Sequence, residues 1–292
     1  MSNHEHDVSQ NNPPPSDQIE YGADTTLITR RELLQILLGA GVSIVGALAL
    51  SGPLTPVVEE IGRSISTGGT NEEEPGVHHW GMVIDLNKCI GCEYCVYACQ
   101  ATNDVTDDMR WNVHLVDETP TGDIFHVTRP CLHCQNAPCV HVCPVSATFR
   151  RSDGLIVMDY DKCMGCRYCQ AACPYSARTF NWDNRGDDPN PYAPEWGSPE
   201  VPRRARGVVE KCTFCIHRID ASYERGLTPG IDADVTPACV NICPVEARYF
   251  GDLNDPNSPA SRIIASSPTF RLRDDLGTEA SVYYIPPEGL AI

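Results

Sequence analysis

Aromatic residues make up 7% of this chain, and basic ones are scarce too: 22 Lys and Arg stand against 39 Asp and Glu, a formal charge of −17. The shortage of aromatics leaves little bulk for a large apolar core in 292 residues that also carry 24 prolines and 22 glycines. Cross-links of another kind must therefore contribute to folding. The shortage of cations excludes nucleic acid as a ligand, because no basic stripe is present to neutralise phosphates. The acidic surface is a solubility feature. There is no glycine fingerprint for a dinucleotide and no Ser-His-Asp or paired-carboxylate pattern that reads as catalytic machinery. Long apolar runs are also few. Leu33 to Leu50 is 18 residues, against the roughly 20 a spanning helix needs, and the tail beyond Ser258 has no such run.

What the chain has is cysteine. Its sixteen cysteines fall into four quartets with none left over. Quartet one is Cys89, Cys92, Cys95 and Cys99; quartet two is Cys131, Cys134, Cys139 and Cys143. Quartet three is Cys163, Cys166, Cys169 and Cys173; in quartet four, Cys212 and Cys215 are separated by an insertion from Cys239 and Cys243. The C-x2-C-x2-C-x3-C-P run of quartet three is the spacing of bacterial two-cluster ferredoxins, in which three thiolates of a tight loop bind one [4Fe–4S] cube and the fourth reaches the neighbouring cube. A repeat supports this reading. VIDLNKCIGCEYCVYAC (Val83 to Cys99) aligns without gaps on VMDYDKCMGCRYCQAAC (Val157 to Cys173), and CVHVCPVSA on CVNICPVEA. The short gap from Cys143 to Cys163 pairs quartets two and three, leaving one and four for each other. By ferredoxin logic the expected ligand sets for four [4Fe–4S] clusters are Cys89, Cys92, Cys95 with Cys243; Cys212, Cys215, Cys239 with Cys99; Cys131, Cys134, Cys139 with Cys173; and Cys163, Cys166, Cys169 with Cys143. Eight disulfides or zinc ribbons are the competing readings of an even cysteine count, and both fit 2-2-3 spacing poorly.

Along the chain, residues 1–28 read as a disordered acidic leader without Lys or Arg. Residues 29–51 carry Thr29-Arg30-Arg31 before an apolar run and an Ala47-x-Ala49 site, the layout of a twin-arginine export signal or of an uncleaved membrane anchor. Residues 52–78 are expected to be a linker, 79–257 the folded domain and 258–292 a C-terminal tail. Met82–Ile84 and Gly154–Asp159 are expected to form strands. RWNVHLV and DIFHVT should pair as a hairpin through Thr119-Pro120-Thr121-Gly122. Residues 183–205 form a long Pro- and Gly-rich loop suited to wrapping a partner subunit, and IHRIDASYERG reads as a helix closed by Gly226.

At the quartets, Gly91 and Gly165 stand where a tight loop lets backbone N–H groups approach sulfur. Pro144, Pro174 and Pro244 follow fourth cysteines and suit the first turn of a short helix, while Gln100 breaks that pattern. Lys88, Lys162 and Lys211 each precede a quartet, either as solvated side chains or as cations favouring a reduced, more negative cube. Glu93 and Arg167 hold one repeat position with opposite charge, which would separate the potentials of their cubes. His133, His141 and His217 lie beside full quartets and read as packing or supporting residues rather than ligands.

The motifs KCIGCEYCVYAC, PCLHCQNAPCVHVCP, KCMGCRYCQAACPYSAR, EKCTFCIHR and PACVNICPVEARYFGDLNDP, spanning about Trp80 to Pro256, resemble the four-cluster ferredoxin-like subunit of the dimethyl sulfoxide, polysulfide and tetrathionate reductase group. The resemblance implies an α+β fold of two duplicated ferredoxin-like modules, loop-rich with short β-hairpin insertions. It implies a non-catalytic electron-transfer subunit, which the twin-arginine layout would place on the outer face of the cytoplasmic membrane. Its partners would be a molybdopterin catalytic subunit and a polysulfide-reductase-type, quinone-reactive membrane subunit. Alternative complex III, with multihaem cytochromes as partners, is the second assignment that this type of subunit admits.

Overall fold

The computed structural model describes residues 78–290, all within the unit Glu72–Ile292. The leader, the export-signal or anchor segment and all but the last residue of the linker lie outside the described residues. Among those described, no helix is long and apolar enough to cross a membrane.

The central strand β1 (Trp80–Asp85) is buried at all six positions. It is covered on both edges, by β8 (Arg248–Asp252) running antiparallel and β9 (Val282–Ile285) running parallel. A strand enclosed in this way is apolar through its middle, where Met82, Val83 and Ile84 are fully buried, and only its last residue, Asp85, is charged. Residues 258–292, set apart above as a tail, contribute both β9 and the helix Pro259–Ser266 packed on β8. Tyr284 on β9 is completely buried, so the fold does not stop at residue 257.

The hairpin β2 (Val113–Glu118) and β3 (Ile124–Arg129) forms as expected, with Gly122 taking the positive φ that its turn requires. A second small pair, β4 (Thr148–Arg150) with β5 (Ile156–Met158), precedes quartet three, and β6 (Thr179–Phe180) pairs with β7 (Val209–Glu210). The helices around the quartets are short: α1 (Tyr94–Thr102), α2 (Pro138–His141), α3 (Tyr168–Ala172), α4 (Ile216–Arg225) and α5 (Ala238–Asn241). Gly226 closes α4 in the left-handed conformation.

The gapless repeat behind α1 and α3 diverges at one residue. Cys173 precedes Pro174 and is extended (φ −75°, ψ 112°), ending α3 after five residues; Gln100 imposes no such restriction, and α1 runs for nine. Pro144 and Pro174, and equally Pro244, start turns rather than helices, which corrects the expectation above. Each turn leads into a residue with positive φ (Ser146, Ser176, Glu246). The tight reversal brings the amides of Ala147 and Ala247 to 3.2 and 3.3 Å from the Cys143 and Cys243 sulfurs.

Residues 183–205 contain no helix or strand, and their inner side is committed to this chain itself. Asn190 donates to the Gln100 carbonyl (2.9 Å), Arg204 to that of Asn103 (2.6 Å), and Trp196 packs against Tyr94 and Tyr97.

Candidate functional site

The two small sheets decide which quartets meet. Strand β1 enters quartet one and β8 leaves quartet four, and these strands pair. Strand β4 leaves quartet two and β5 enters quartet three, and these pair likewise. The helices agree: α1 packs on α5, and α2 on α3. Quartets one and four thus share one neighbourhood, and two and three another.

Within them, Cys131, Cys134, Cys139 and Cys173 line one cavity, and Cys99, Cys212, Cys215 and Cys239 line a second. Cys89 lies near Cys95 and Cys243, and Cys169 near Cys163 and Cys139. In both cavities the fourth thiol comes from the partner quartet. Asn103 joins two quartets directly, with Nδ2 at 3.7 Å from the sulfurs of both Cys99 and Cys215. Burial divides the sixteen thiols. Cys95, Cys99, Cys131, Cys134, Cys139, Cys169, Cys212, Cys215 and Cys239 are buried, Cys89, Cys92, Cys143, Cys163, Cys173 and Cys243 are half-buried, and Cys166 is exposed.

The donor set fits iron–sulfur cubes. All sixteen cysteines are free thiols. Among the described residues, no group of three or more His, Cys, Asp or Glu converges tightly enough for a single metal ion; the thiols ring voids instead. Burial pushes the Cys134 and Cys239 thiols up to about 12, so bare thiolates there are strongly disfavoured until a cationic iron core offsets them. Buried Arg178 Nε has no hydrogen-bond partner in the protein, an orphan donor of the kind an anionic group satisfies. Backbone amides also aim at sulfur, including Phe214 N–H at 3.4 Å from Cys212 and Gly91 N–H toward Cys89. Soft thiolates supported in this way suit clusters of iron and sulfide.

The two loop glycines differ in what crowds them. A Cβ at Gly91 would stand 2.6 Å from the His126 ring, whereas one at Gly165 would strike the backbone carbonyl of Gly207; both residues have positive φ. Both alanine substitutions incur roughly 1–3 kcal/mol of backbone strain. Gly165→Ala is expected to lose more in melting temperature and iron content, because a ring can turn aside and a backbone carbonyl cannot. Equal losses would contradict this.

The three lysines that precede quartets have three different fates. Lys88 is exposed, 2.6 Å from the Tyr249 hydroxyl, and exposed Lys162 pairs with Asp159 at 2.8 Å. Lys211 is completely buried, with Nζ donating to the carbonyls of Ile156 and Cys212. Glu93 bonds His114 (2.9 Å), while the Arg167 guanidinium lies over Trp182. His133 is buried against Phe214, accepts from Ile156 N–H at Nδ1 and donates from Nε2 to Cys212 O. Burial, then Lys211, holds its pKa well below the ordinary value, so it is a neutral packing residue. His141 is exposed beside Asn136, and His217 binds Glu200 at 2.8 Å.

Two buried residues carry no role in the sequence reading, Arg178 and Arg248. Both occupy the same place in a repeated C-P-x-x-A-R, beginning at Cys173 and Cys243. Arg178 Nη2 lies 3.1 Å from Cys139 Sγ, and Arg248 hydrogen-bonds Cys239. The shared motif was the available signal.

The comparisons with known proteins agree with this site. A family model described as a 4Fe-4S dicluster domain matches residues 123–186, a second of the same description matches 162–247, and a 4Fe-4S binding domain matches 80–101. The chain is similar to the iron–sulfur subunit assigned to a dimethyl sulfoxide reductase of Halobacterium salinarum, 46% identical over 226 residues that cover 72% of this chain and 80% of that one. It is 36% identical to a polysulfide reductase polypeptide of Wolinella succinogenes over 71% of this chain and 94% of the relative. It is 32% identical to a tetrathionate reductase subunit of Salmonella typhimurium over 88% of each. The cysteine cavities are thus sites for [4Fe–4S] clusters, and this protein belongs to the family of iron–sulfur subunits of the dimethyl sulfoxide, polysulfide and tetrathionate reductases.

Proposed function

We propose that the chain relays electrons through four [4Fe–4S] cubes held by the four exchanged ligand sets: Cys89, Cys92, Cys95 and Cys243 (cube A); Cys212, Cys215, Cys239 and Cys99 (cube B); Cys131, Cys134, Cys139 and Cys173 (cube C); Cys163, Cys166, Cys169 and Cys143 (cube D). The observation that carries the reading is the convergence of thiols from partnered quartets on shared cavities, supported by gradation of burial along the set. When bound, the cubes supply one-electron carriage. The protein's part is to hold them in a row, A–B–C–D. Cys95 and Cys239 neighbour one another, as do Cys212 and Cys131, and Cys139 and Cys169. The duplicated modules are A with B and C with D. Matching backbone at Gly91 and Gly165 (φ 70° and 71°) and at Glu93 and Arg167 (61° and 63°) supports duplication. The two ends of the row open to the surface beside Ile90 (59% exposed) and Met164 (64% exposed), where partners can approach.

By likeness to its relatives, the chain serves a respiratory oxidoreductase, between a molybdopterin catalytic subunit and a quinone-reactive membrane subunit. Arg30 and Arg31 would send it, already folded and loaded, to the outer face of the cytoplasmic membrane.

Anaerobic purification is expected to give a brown protein with about sixteen irons and as many acid-labile sulfides per chain, for four four-iron cubes. Mass spectrometry of the complex should find the catalytic and membrane subunits. A colourless product, or far less iron, would refute the cluster assignment. Multihaem cytochromes in place of a molybdopterin subunit would refute the partner assignment.

A further inference from the structure

Three cations are buried among the cysteine sulfurs, and among the described residues none of them has a carboxylate partner. Arg178 is 2% exposed, Arg248 5% and Lys211 0%. A buried, unpaired cation is costly enough that proteins normally compensate it. Here the surroundings are thiols, backbone carbonyls, methionine sulfur and neutral polar groups. Arg178 bonds the sulfurs of Cys139 and Cys169, with Thr148 and Met158 on its other nitrogen. Arg248 bonds Cys239 and faces Cys95, held by Asn112 and Met82. Lys211 lies between Cys131 and Cys212, fixed by two carbonyls.

Placed on the row of cubes proposed above, on which this inference rests, the three residues fall beside different pairs of ligand sets, with Arg178 and Lys211 near enough to feel each other. Arg248 stands between cubes A and B, Lys211 between B and C, and Arg178 between C and D. We propose that these side chains form a ladder of fixed positive charges, one in each gap. Each rung raises the potentials of the two cubes that it touches and reduces the penalty for having both reduced at once.

The physics is Coulombic. A cube bound by four thiolates is anionic, and reduction adds one electron to it. An arginine keeps its proton in a protein and Lys211 donates from Nζ to two carbonyls beside anionic sulfur, so an adjacent cation stabilises the reduced form more than the oxidised one. Low polarity around the rungs strengthens the effect. The two arginines share the C-P-x-x-A-R motif but are not copies of each other in the module repeat, where Arg248 aligns with Thr148 and Arg178 with Asp104; Lys211 lies at the junction of the modules, outside that motif. The exposed lysines Lys88 and Lys162 lie outside the ladder, and solvent screens them.

The test uses the full chain, purified anaerobically within its complex, as Arg178→Gln, Arg248→Gln and Lys211→Met. Each is titrated with dithionite through redox mediators while electron paramagnetic resonance follows the cubes. In each variant two of the four midpoints should fall by tenfold or more in reduction equilibrium, 59 mV for a one-electron couple, while the other two hold. The arginine variants should move disjoint pairs, and the Lys211 variant one member of each pair, a pattern that needs no prior assignment of signals. Arg178→Lys, Arg248→Lys and Lys211→Arg should give smaller falls. The ladder is overturned if an iron-replete variant moves no midpoint or moves all four alike. It is also overturned if a residue's neutral and charge-keeping variants both lose iron, which would make that residue a strut. Too little iron in the unsubstituted chain would instead end the ligand assignment itself.

Discussion

Cys173→Ala is expected to damage the cube of Cys131, Cys134 and Cys139 and to spare the cube whose loop Cys173 follows. Cys173 lies four residues beyond Cys169, past the end of α3, a displacement of roughly 6 Å at helical rise that carries it away from its own loop. It lines the cavity with Cys131, Cys134 and Cys139. Alanine there removes one corner ligand, leaving a three-iron cluster or none. Iron per chain should drop from about sixteen to between about fifteen and twelve. The decisive comparison is spectroscopic. Cys173→Ala should reproduce the signal lost in Cys134→Ala and retain the one lost in Cys166→Ala. The opposite match would show that each quartet binds its own cube. Cys143→Ala should give the reciprocal result.

Arg204→Ala is expected to destabilise the fold by about 3–5 kcal/mol, the range for removing one member of a buried ion pair. Arg204 Nε is 3.0 Å from Glu210 Oε2, and the Glu210 side chain has no exposure. The arginine also satisfies the carbonyls of Asn103 and Asp104 and stacks on Trp111, so truncation orphans several groups together. Burial holds the Glu210 pKa above the ordinary carboxylate value even with Arg204 present. The folded state therefore binds this proton more tightly than the unfolded state. Its contribution falls as pH rises from the unfolded pKa of about 4.3 through the raised folded value. Without Arg204 the dependence should steepen, and the variant should recover part of its stability in mild acid. Denaturant unfolding of anaerobic protein at several pH values measures both effects. A loss below about 1 kcal/mol, or a variant equally unstable at all pH values, would show that the pair contributes little.

Lys88, Lys162 and Lys211 hold the same place relative to a quartet, and nothing local separates them. One is buried among sulfurs and two lie in solvent, because burial depends on residues far away in the chain. Ile156 and Cys212 supply the carbonyls that hold Lys211, whereas Lys88 meets the Tyr249 hydroxyl. Arg178 and Arg248 were visible as a repeated C-P-x-x-A-R, yet their contacts with Cys139 and Cys239 join segments that only folding aligns, 39 residues apart in the case of Arg178. The C-terminal strand was hidden in a similar way. VYYI is a short apolar segment whose place beside β1 follows from pairing with residues 200 positions away.

Cysteine spacing, the gapless repeat and the turn residues at Gly91, Gly165 and Gly226 act within a few residues. Cluster type and the positions of the hairpin and α4 could therefore be read from sequence alone. Tertiary structure alone decided which cations are buried beside which sulfurs, that the tail completes the central sheet, and that the 183–205 loop closes over α1. Those outcomes depend on excluding water between distant segments, and no local pattern of residues encodes how much solvent remains around a side chain.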